Sequence, residues 1–262
     1  MDVKQRRSMM VVKPNELAQK GRNLLTGKQI EIVEYLLSCV RPQDEPEQIY
    51  IFDIQEFCEL FNLFERSGTH YTTLKRELKN IADVSCWIVE GKSRRLFRWL
   101  NEVEIDEGSG QIAVSFHKTV RDYIFNINPQ NGYFKYQLVN IAALRGKTGR
   151  SNKYPKMLYI FLKSYAEQGG ITVSLEDFRT IHCPTEYTEY RRINQRILTD
   201  AQKKINELTD ITFTYKAIKA KGSRSTTHIQ FFIYKKKGKE LSELENKQYI
   251  AIDGEPWAEL PF

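Results

Sequence analysis

Apolar and polar positions along this chain follow two periods, and both are plainest between residues 187 and 234. Within 187–208, Tyr190, Ile193, Ile197, Ala201, Ile205 and Leu208 recur at three- and four-residue spacing, which predicts one long helix with a single buried stripe. At about 100° per residue, its opposite face collects Thr188, Arg192, Gln195, Arg196, Thr199 and Lys203, none of them a carboxylate. Downstream the period drops to two. Residues 211–219 and 228–234 alternate as strands, separated by the basic Gly/Ser turn Ala220-Lys-Gly-Ser-Arg-Ser-Thr-Thr.

A helix followed by a hairpin with a basic tip is the layout of a winged helix, in which the helix enters the major groove and the wing touches the neighbouring backbone. The pattern predicts the same order earlier in the chain. Thr26 is placed to cap a helix over 27–39, with Ile30, Val33 and Leu37 inward. A strand at 49–52, a helix at 53–61 and a helix at 70–82 follow, the last with Tyr71, Leu74, Leu78 and Ile81 inward and Thr72, Arg76, Lys79 and Asn80 outward. Strands are predicted at 84–89, 95–103 and 111–116, and a helix at 117–127. From residue 151 the order recurs, with a helix at 155–167, a strand at 171–174 and a helix at 175–181 ahead of the long helix and its hairpin. Ile81-Ala-Asp-Val-Ser-Cys-Trp-Ile can be laid on Leu208-Thr-Asp-Ile-Thr-Phe-Thr-Tyr with residue types largely in step, which argues for duplication of one small domain. The fold class expected is therefore α+β, with two tandem winged-helix domains related by internal duplication. The expected division is a flexible N-terminus at 1–13, a first domain at 14–130, a basic linker at 131–153, a second domain at 154–237, and an acidic tail at 238–262 without fixed structure.

Charge sharpens this picture because it is unevenly placed. The 262 residues carry a net charge of +7. Residues 1–131 hold 18 Lys and Arg against 19 Asp and Glu, whereas residues 145–237 hold 19 against 8, an excess of 11 positive charges. Such an excess points to a polyanionic partner. No apolar run approaches the length of a membrane span, and the N-terminus lacks a signal-peptide core, so the expectation is a soluble cytoplasmic protein without a membrane partner. Cys39, Cys58, Cys86 and Cys183 are widely spaced in apolar segments and read as buried thiols, with no metal site. Arg145-Gly-Lys-Thr-Gly lacks the earlier glycine of a phosphate loop, and His70, His117, His182 and His228 form no His-x-His pair. No catalytic function and no cofactor are expected.

The candidate contacts to double-stranded DNA follow from side-chain chemistry. Arg192, Gln195 and Arg196 have the forked donors and acceptors that read guanine and adenine edges, beside Thr188, Arg191 and Thr199. Lys203, with Lys219, Lys221 and Arg224 of the wing, suits phosphates. The first domain offers Thr72, Arg76 and Lys79 on its helix and Lys92, Arg94 and Arg95 on its hairpin. The linker adds Arg145, Lys147 and Arg150.

Three stretches give the chain a family likeness. Met10-Val-Val-Lys-Pro-Asn-Glu-Leu, Tyr154-Pro-Lys-Met-Leu-Tyr-Ile-Phe-Leu and residues 190–211 resemble the iteron-binding plasmid replication initiators, the Rep proteins with tandem winged-helix domains. The likeness spans residues 10–237, apart from an insertion-like Gly146-Lys-Thr-Gly-Arg-Ser-Asn and the tail. It implies binding of origin repeats by monomers and a homodimer through the first domain in equilibrium with monomer. It further implies repression of the protein's own promoter, and recruitment of the host initiator and replicative helicase in a bacterial cytoplasm. The last residues, Leu260-Pro-Phe, resemble the end of some sliding-clamp-binding peptides, without the glutamine those peptides favour, and make the clamp a candidate partner. A winged-helix transcriptional repressor without a replication role is the alternative, distinguishable by the DNA beside the gene.

Overall fold

The computed structural model describes residues 6, 8–41, 43–45, 47–61, 70–125, 132–144, 153–222 and 225–253. The chain divides into two compact units, residues 1–138 and 139–262. Among the described residues, no helix is long and apolar enough to cross a membrane.

The first unit is built around α2 (Gly27–Cys39), preceded by β1 (Met10–Pro14), α1 (Asn15–Lys20) and β2 (Gly21–Asn23). Thr26 caps α2 as its sequence predicts. Its hydroxyl accepts from the Gln29 amide at 3.3 Å, and the Gln29 side chain accepts from the Thr26 amide at 2.9 Å, a reciprocal pair that satisfies two otherwise orphaned donors. Ile30, Val33 and Leu37 are buried, but so are Glu31 and Glu34. The Glu34 carboxylate takes the buried Lys13 ammonium of β1 and the Tyr136 hydroxyl of β8 (Tyr133–Gln137). β1 and β8 pair antiparallel, from Met10 opposite Gln137 to Pro14 opposite Tyr133. Residues 10–13, expected to be flexible, and 133–137, expected to be linker, thus form a strand pair of the first unit. Lys13 and Tyr136 are polar by composition, yet buried because Glu34 partners both.

The rest of the unit follows the expected order: β3 (Ile49–Asp53), α3 (Ile54–Phe61), α4 (His70–Asp83), β4 (Ser85–Glu90), β5 (Ser93–Arg98), β6 (Leu100–Asp106), β7 (Gln111–Phe116) and α5 (Lys118–Phe125). The strand predicted at 95–103 is two strands in two sheets, ordered β2-β4-β5 and β3-β7-β6. Trp99 and Leu100 are both buried. Two successive inward residues break a period of two, so the chain changes face at that point and joins a second sheet.

The second unit comprises α6 (Val139–Ala143), α7 (Lys153–Lys163), β9 (Gly170–Ser174), α8 (Leu175–His182), α9 (Tyr190–Ile193), a π-helical turn (Asn194–Leu198), α10 (Thr199–Leu208), β10 (Ile211–Lys219), β11 (Thr226–Lys235) and α11 (Lys239–Asp253). Among the described residues its strands form one sheet, ordered β10-β11-β9 and antiparallel throughout. Phe161, Phe178, Phe213 and Phe231 converge beneath it, with centroids 5.8–6.3 Å apart. The His182 ring lies 4.6 Å from Phe161 and 5.1 Å from Phe178. Burial pushes its pKa down to about 3, which keeps it neutral.

The tail departs from expectation, since residues 239–253 form α11 instead of lacking structure. Among its described side chains, Leu244 and Gln248 are buried. The Gln248 amide donates to the Leu208 carbonyl at 2.9 Å, in the last turn of α10, and to Asn140 Oδ1 of α6 at 3.0 Å. A glutamine at the centre of the inward stripe hides that stripe from a hydrophobicity count, while it satisfies a carbonyl that a helix end leaves unpaired. The clamp-like ending, Leu260-Pro-Phe, lies outside the described residues.

Candidate nucleic-acid interface

The helix at 190–208 begins three residues later than its polar pattern suggests, so Thr188 lies in the exposed loop ahead of it. Of its predicted stripe, Ile193, Ile197, Ala201 and Ile205 are all at most 2 % exposed, Tyr190 and Leu208 are only half-buried, and Leu198 joins the buried set. Four-residue spacing repeated three times would carry the stripe about 120° round a regular α-helix. The π turn holds one residue more than an α-turn and takes back about 100° of that drift. The stripe therefore stays on one side because the helix is locally unwound.

Side chains of this helix also tie it to β10, an edge strand with free backbone groups. Asn206 accepts from the Phe213 amide at 2.8 Å and donates to the Phe213 carbonyl at 3.0 Å, and Gln202 donates to the same carbonyl at 3.0 Å. Tyr215 donates to Asn194 Oδ1 at 2.7 Å. Helix and wing are thus fixed as one body by amides spaced along the helix flank. Sequence reasoning missed these residues, since Asn194, Gln202 and Asn206 read as ordinary polar helix positions. A signal did exist in the adjacency of Ile205, the last buried aliphatic, to an amide just before the strand.

The outward face presents Arg191, Arg192, Gln195, Arg196, Thr199 and Lys203, all exposed. Asp200 is also exposed, paired with Lys204 at 3.0 Å, so the face is carboxylate-poor without being free of carboxylates. Arg191, Gln195, Arg196 and Lys203 have no hydrogen-bond or ion-pair partner among the described residues, and Arg192 only stacks 6.0 Å over the Tyr187 ring. On the wing, β10 and β11 pair from Ile211 opposite Lys235 to Lys219 opposite Thr226. Lys219 and Lys221 are exposed at its tip, beside Gly222 at φ 79°, a left-handed turn that glycine adopts without strain. Arg224 of the wing and Arg145, Lys147 and Arg150 upstream lie outside the described residues. Lys216 lies on the outer face of the wing, 5.3 Å from the Phe232 ring.

In the first unit, the corresponding helix α4 buries Leu74, Leu78 and Ile81 completely and exposes Thr72, Arg76 and Lys79. Its cations are matched locally. Lys75 pairs with Glu107 and Lys79 with Asp83, while Arg76 sits 3.6 Å from Glu77. On the β4–β5 hairpin, Lys92, Arg94 and Arg95 are exposed around Gly91. Arg95 turns toward α5 and donates to the Tyr123 hydroxyl at 2.9 Å. Arg94 lies opposite Val89, on the sheet face where Trp87 lies opposite Leu96, both partly exposed.

Two family models match the chain in the order of the two units, the first of them running past residue 138 into the second unit. Residues 10–163 match the model of the family described as initiator replication protein, WH1, and residues 174–233 match that of initiator Rep protein, WH2. The structure resembles the crystal structure of the Pi initiator protein in complex with iteron DNA. That match has a TM-score of 0.64 and 14 % identity, and covers 88 % of this chain and 99 % of that one. At this identity the likeness speaks for the fold. The WH1 domain of the replication protein MSBI1.176, isolated from a multiple sclerosis patient, is 17 % identical over 40 % of this chain and 81 % of its own, but its TM-score of 0.26 carries no argument. No curated protein sequence matches the chain. With family models covering both of its winged-helix units in order, the chain belongs to the initiator replication protein family.

Proposed function

We propose that this protein starts plasmid replication by binding direct repeats at an origin, with the helix at 190–208 in the major groove and the β10–β11 wing on the adjacent backbone. The observation that carries this reading is the exposed helix face of Arg191, Arg192, Gln195, Arg196 and Lys203, without hydrogen-bond or ion-pair partners among the described residues, on a helix tied to the wing that bears Lys219 and Lys221. Unpaired arginines and lysines on a rigid helix have more to gain from bases and phosphates than paired ones. Family membership supports the replication role, and the similar Pi protein was crystallised on iteron DNA. Arg192, Gln195 and Arg196 read bases. Thr188, Thr199, Lys203, Lys219, Lys221 and Arg224 hold phosphates, joined by Arg145, Lys147 and Arg150 of the connecting segment. The first unit adds Thr72, Arg76, Lys79, Lys92, Arg94 and Arg95 as a lesser contact. It also forms the homodimer that represses the protein's own promoter, in equilibrium with the monomer that fires the origin. The initiator passes the opened duplex to the host initiator and replicative helicase, and residues 254–262 take the sliding clamp.

The deciding experiment is transformation. The gene with its flanking DNA, cloned on a fragment without another origin, should sustain a plasmid, and a stop codon early in the gene should abolish it. Binding of the flanking DNA without plasmid maintenance would leave a transcriptional repressor. Sedimentation of the full chain across a hundredfold concentration range tests the dimer, and a single monomeric species throughout removes it.

A further inference from the structure

The π turn sits in the middle of the proposed reading face, and one residue organises it. Asn194 opens the turn, and its carbonyl accepts from the Thr199 amide, five residues on, and from the Thr199 hydroxyl at 2.9 Å. Its side-chain oxygen accepts from Tyr215 of β10 at 2.7 Å and lies 3.5 Å from the Tyr190 hydroxyl. Asn194 therefore joins the unwound turn to the wing strand through both its main chain and its side chain. A π turn is a rare departure inside an α-helix, and the Asn194 contacts hold it in place.

The turn also resets which residues line up. Arg191 and Lys203 are twelve residues apart, which on a regular α-helix sets them about 120° round the axis from each other. One extra residue in the turn reduces that to about 20°. Arg191 thereby joins the row of Thr199 and Lys203, and Arg192 is carried away from it by the same rotation. The sequence pattern alone had favoured Arg192 for that row.

We infer that Asn194, clamped by Tyr215, is the positioning residue that turns Arg191 onto the DNA-facing line of the phosphate contacts Thr199 and Lys203, where its guanidinium reaches a base edge, and so helps set the DNA sequence preference of the second unit. The inference rests on the proposed docking of this helix in duplex DNA. Asn194 acts through the helix phase and not by touching a base. Removing the clamp lets the turn relax toward an α-helix and rotates Arg191 out of the row, while the exposed phosphate contacts of the wing remain.

The test uses the full chain and a duplex carrying one copy of the sequence that the chain enriches from a random pool, with a shuffled duplex as reference. Tyr215→Phe and Asn194→Leu should each lower the preference for the enriched over the shuffled duplex by about tenfold, as expected for losing one good base contact, with affinity for the shuffled duplex unchanged. Asn194→Asp keeps the acceptor for Tyr215 and should retain the preference, which supplies a folded control should Asn194→Leu unfold. In a double-mutant cycle, Arg191→Ala should weaken the preference in the wild-type chain and add nothing to Tyr215→Phe. If Tyr215→Phe and Asn194→Leu keep the full preference, or Arg191→Ala acts equally in both backgrounds, the positioning role is wrong. A wild-type chain that enriches no sequence would instead overturn the docking itself.

Discussion

The two units place charge in opposite ways on the same framework. In the first unit, α4 carries Lys75, Arg76 and Lys79 outward, each beside a carboxylate, and α2 holds a buried Glu34 against Lys13. In the second unit, Arg191, Arg196 and Lys203 stand exposed with no carboxylate partner among the described residues, and the helix is fixed by neutral amides, Asn194, Gln202 and Asn206. The contrast is between the two helices: the α4 cations are neutralised beside their own carboxylates, while Arg191, Arg196 and Lys203 are not. An exposed pair contributes little stability, so matching α4 cations does less to hold that unit together than to neutralise its surface.

The largest effect that can break this comparison is in the first unit. Glu34→Ala strands a buried Lys13 ammonium and the Tyr136 hydroxyl, and should cost about 3–5 kcal/mol, read as loss of the first unit's cooperative unfolding transition with the second unit's retained. A loss below 1 kcal/mol would mean that the buried pair is not what holds β1 and β8 to α2. Next come the reading residues of the second unit. Arg192→Ala and Arg196→Ala should each lose about 1–3 kcal/mol of binding to the enriched duplex and relax its sequence preference, measured by fluorescence anisotropy at fixed salt. Unchanged affinity and preference in both would sink the docking.

Acid should act on the second unit through His182, which has no hydrogen-bond partner among the described residues and lies packed between Phe161 and Phe178. Its folded pKa, near 3, lies below the ordinary 6.5, so the unfolded chain binds the extra proton between those values. The stability it allows is fully present above about pH 6.5 and falls by roughly 1.4 kcal/mol per unit as pH drops toward 3. His182→Leu should flatten the second unit's melting temperature between pH 6.5 and 4.5, and an unaltered slope would assign the acid response elsewhere. Lys219→Ala and Lys221→Ala should each reduce the slope of log affinity against log salt by about one, without altering sequence preference. The smallest effect belongs to the first unit again. Arg76→Ala with Lys79→Ala should change affinity by less than about twofold, because their charges are already neutralised locally, and a larger loss would erase the contrast between the units.

Much of this was already written in the order of residues. The four-residue recurrence of Ile193, Ile197, Ala201 and Ile205, and the strands predicted at 211–219 and 228–234, needed no tertiary information, because a single stripe or alternation decides which face of each element is buried. The excess of positive charge within 145–237 and the Thr26 capping box were equally local. Other features depended on contacts between distant residues. Lys13 and Glu34 lie 21 residues apart and Tyr136 a further 102 from Glu34, and each is polar until the others neutralise it in the interior. Gln248 made α11 invisible as an amphipathic helix because its partners, Leu208 O and Asn140, are 40 and 108 residues away. The break at Trp99 appears only when two sheets compete for one strand. The π turn needed Tyr215, since periodicity assumes a constant angle per residue and cannot register the one place where the helix unwinds to keep its stripe inward.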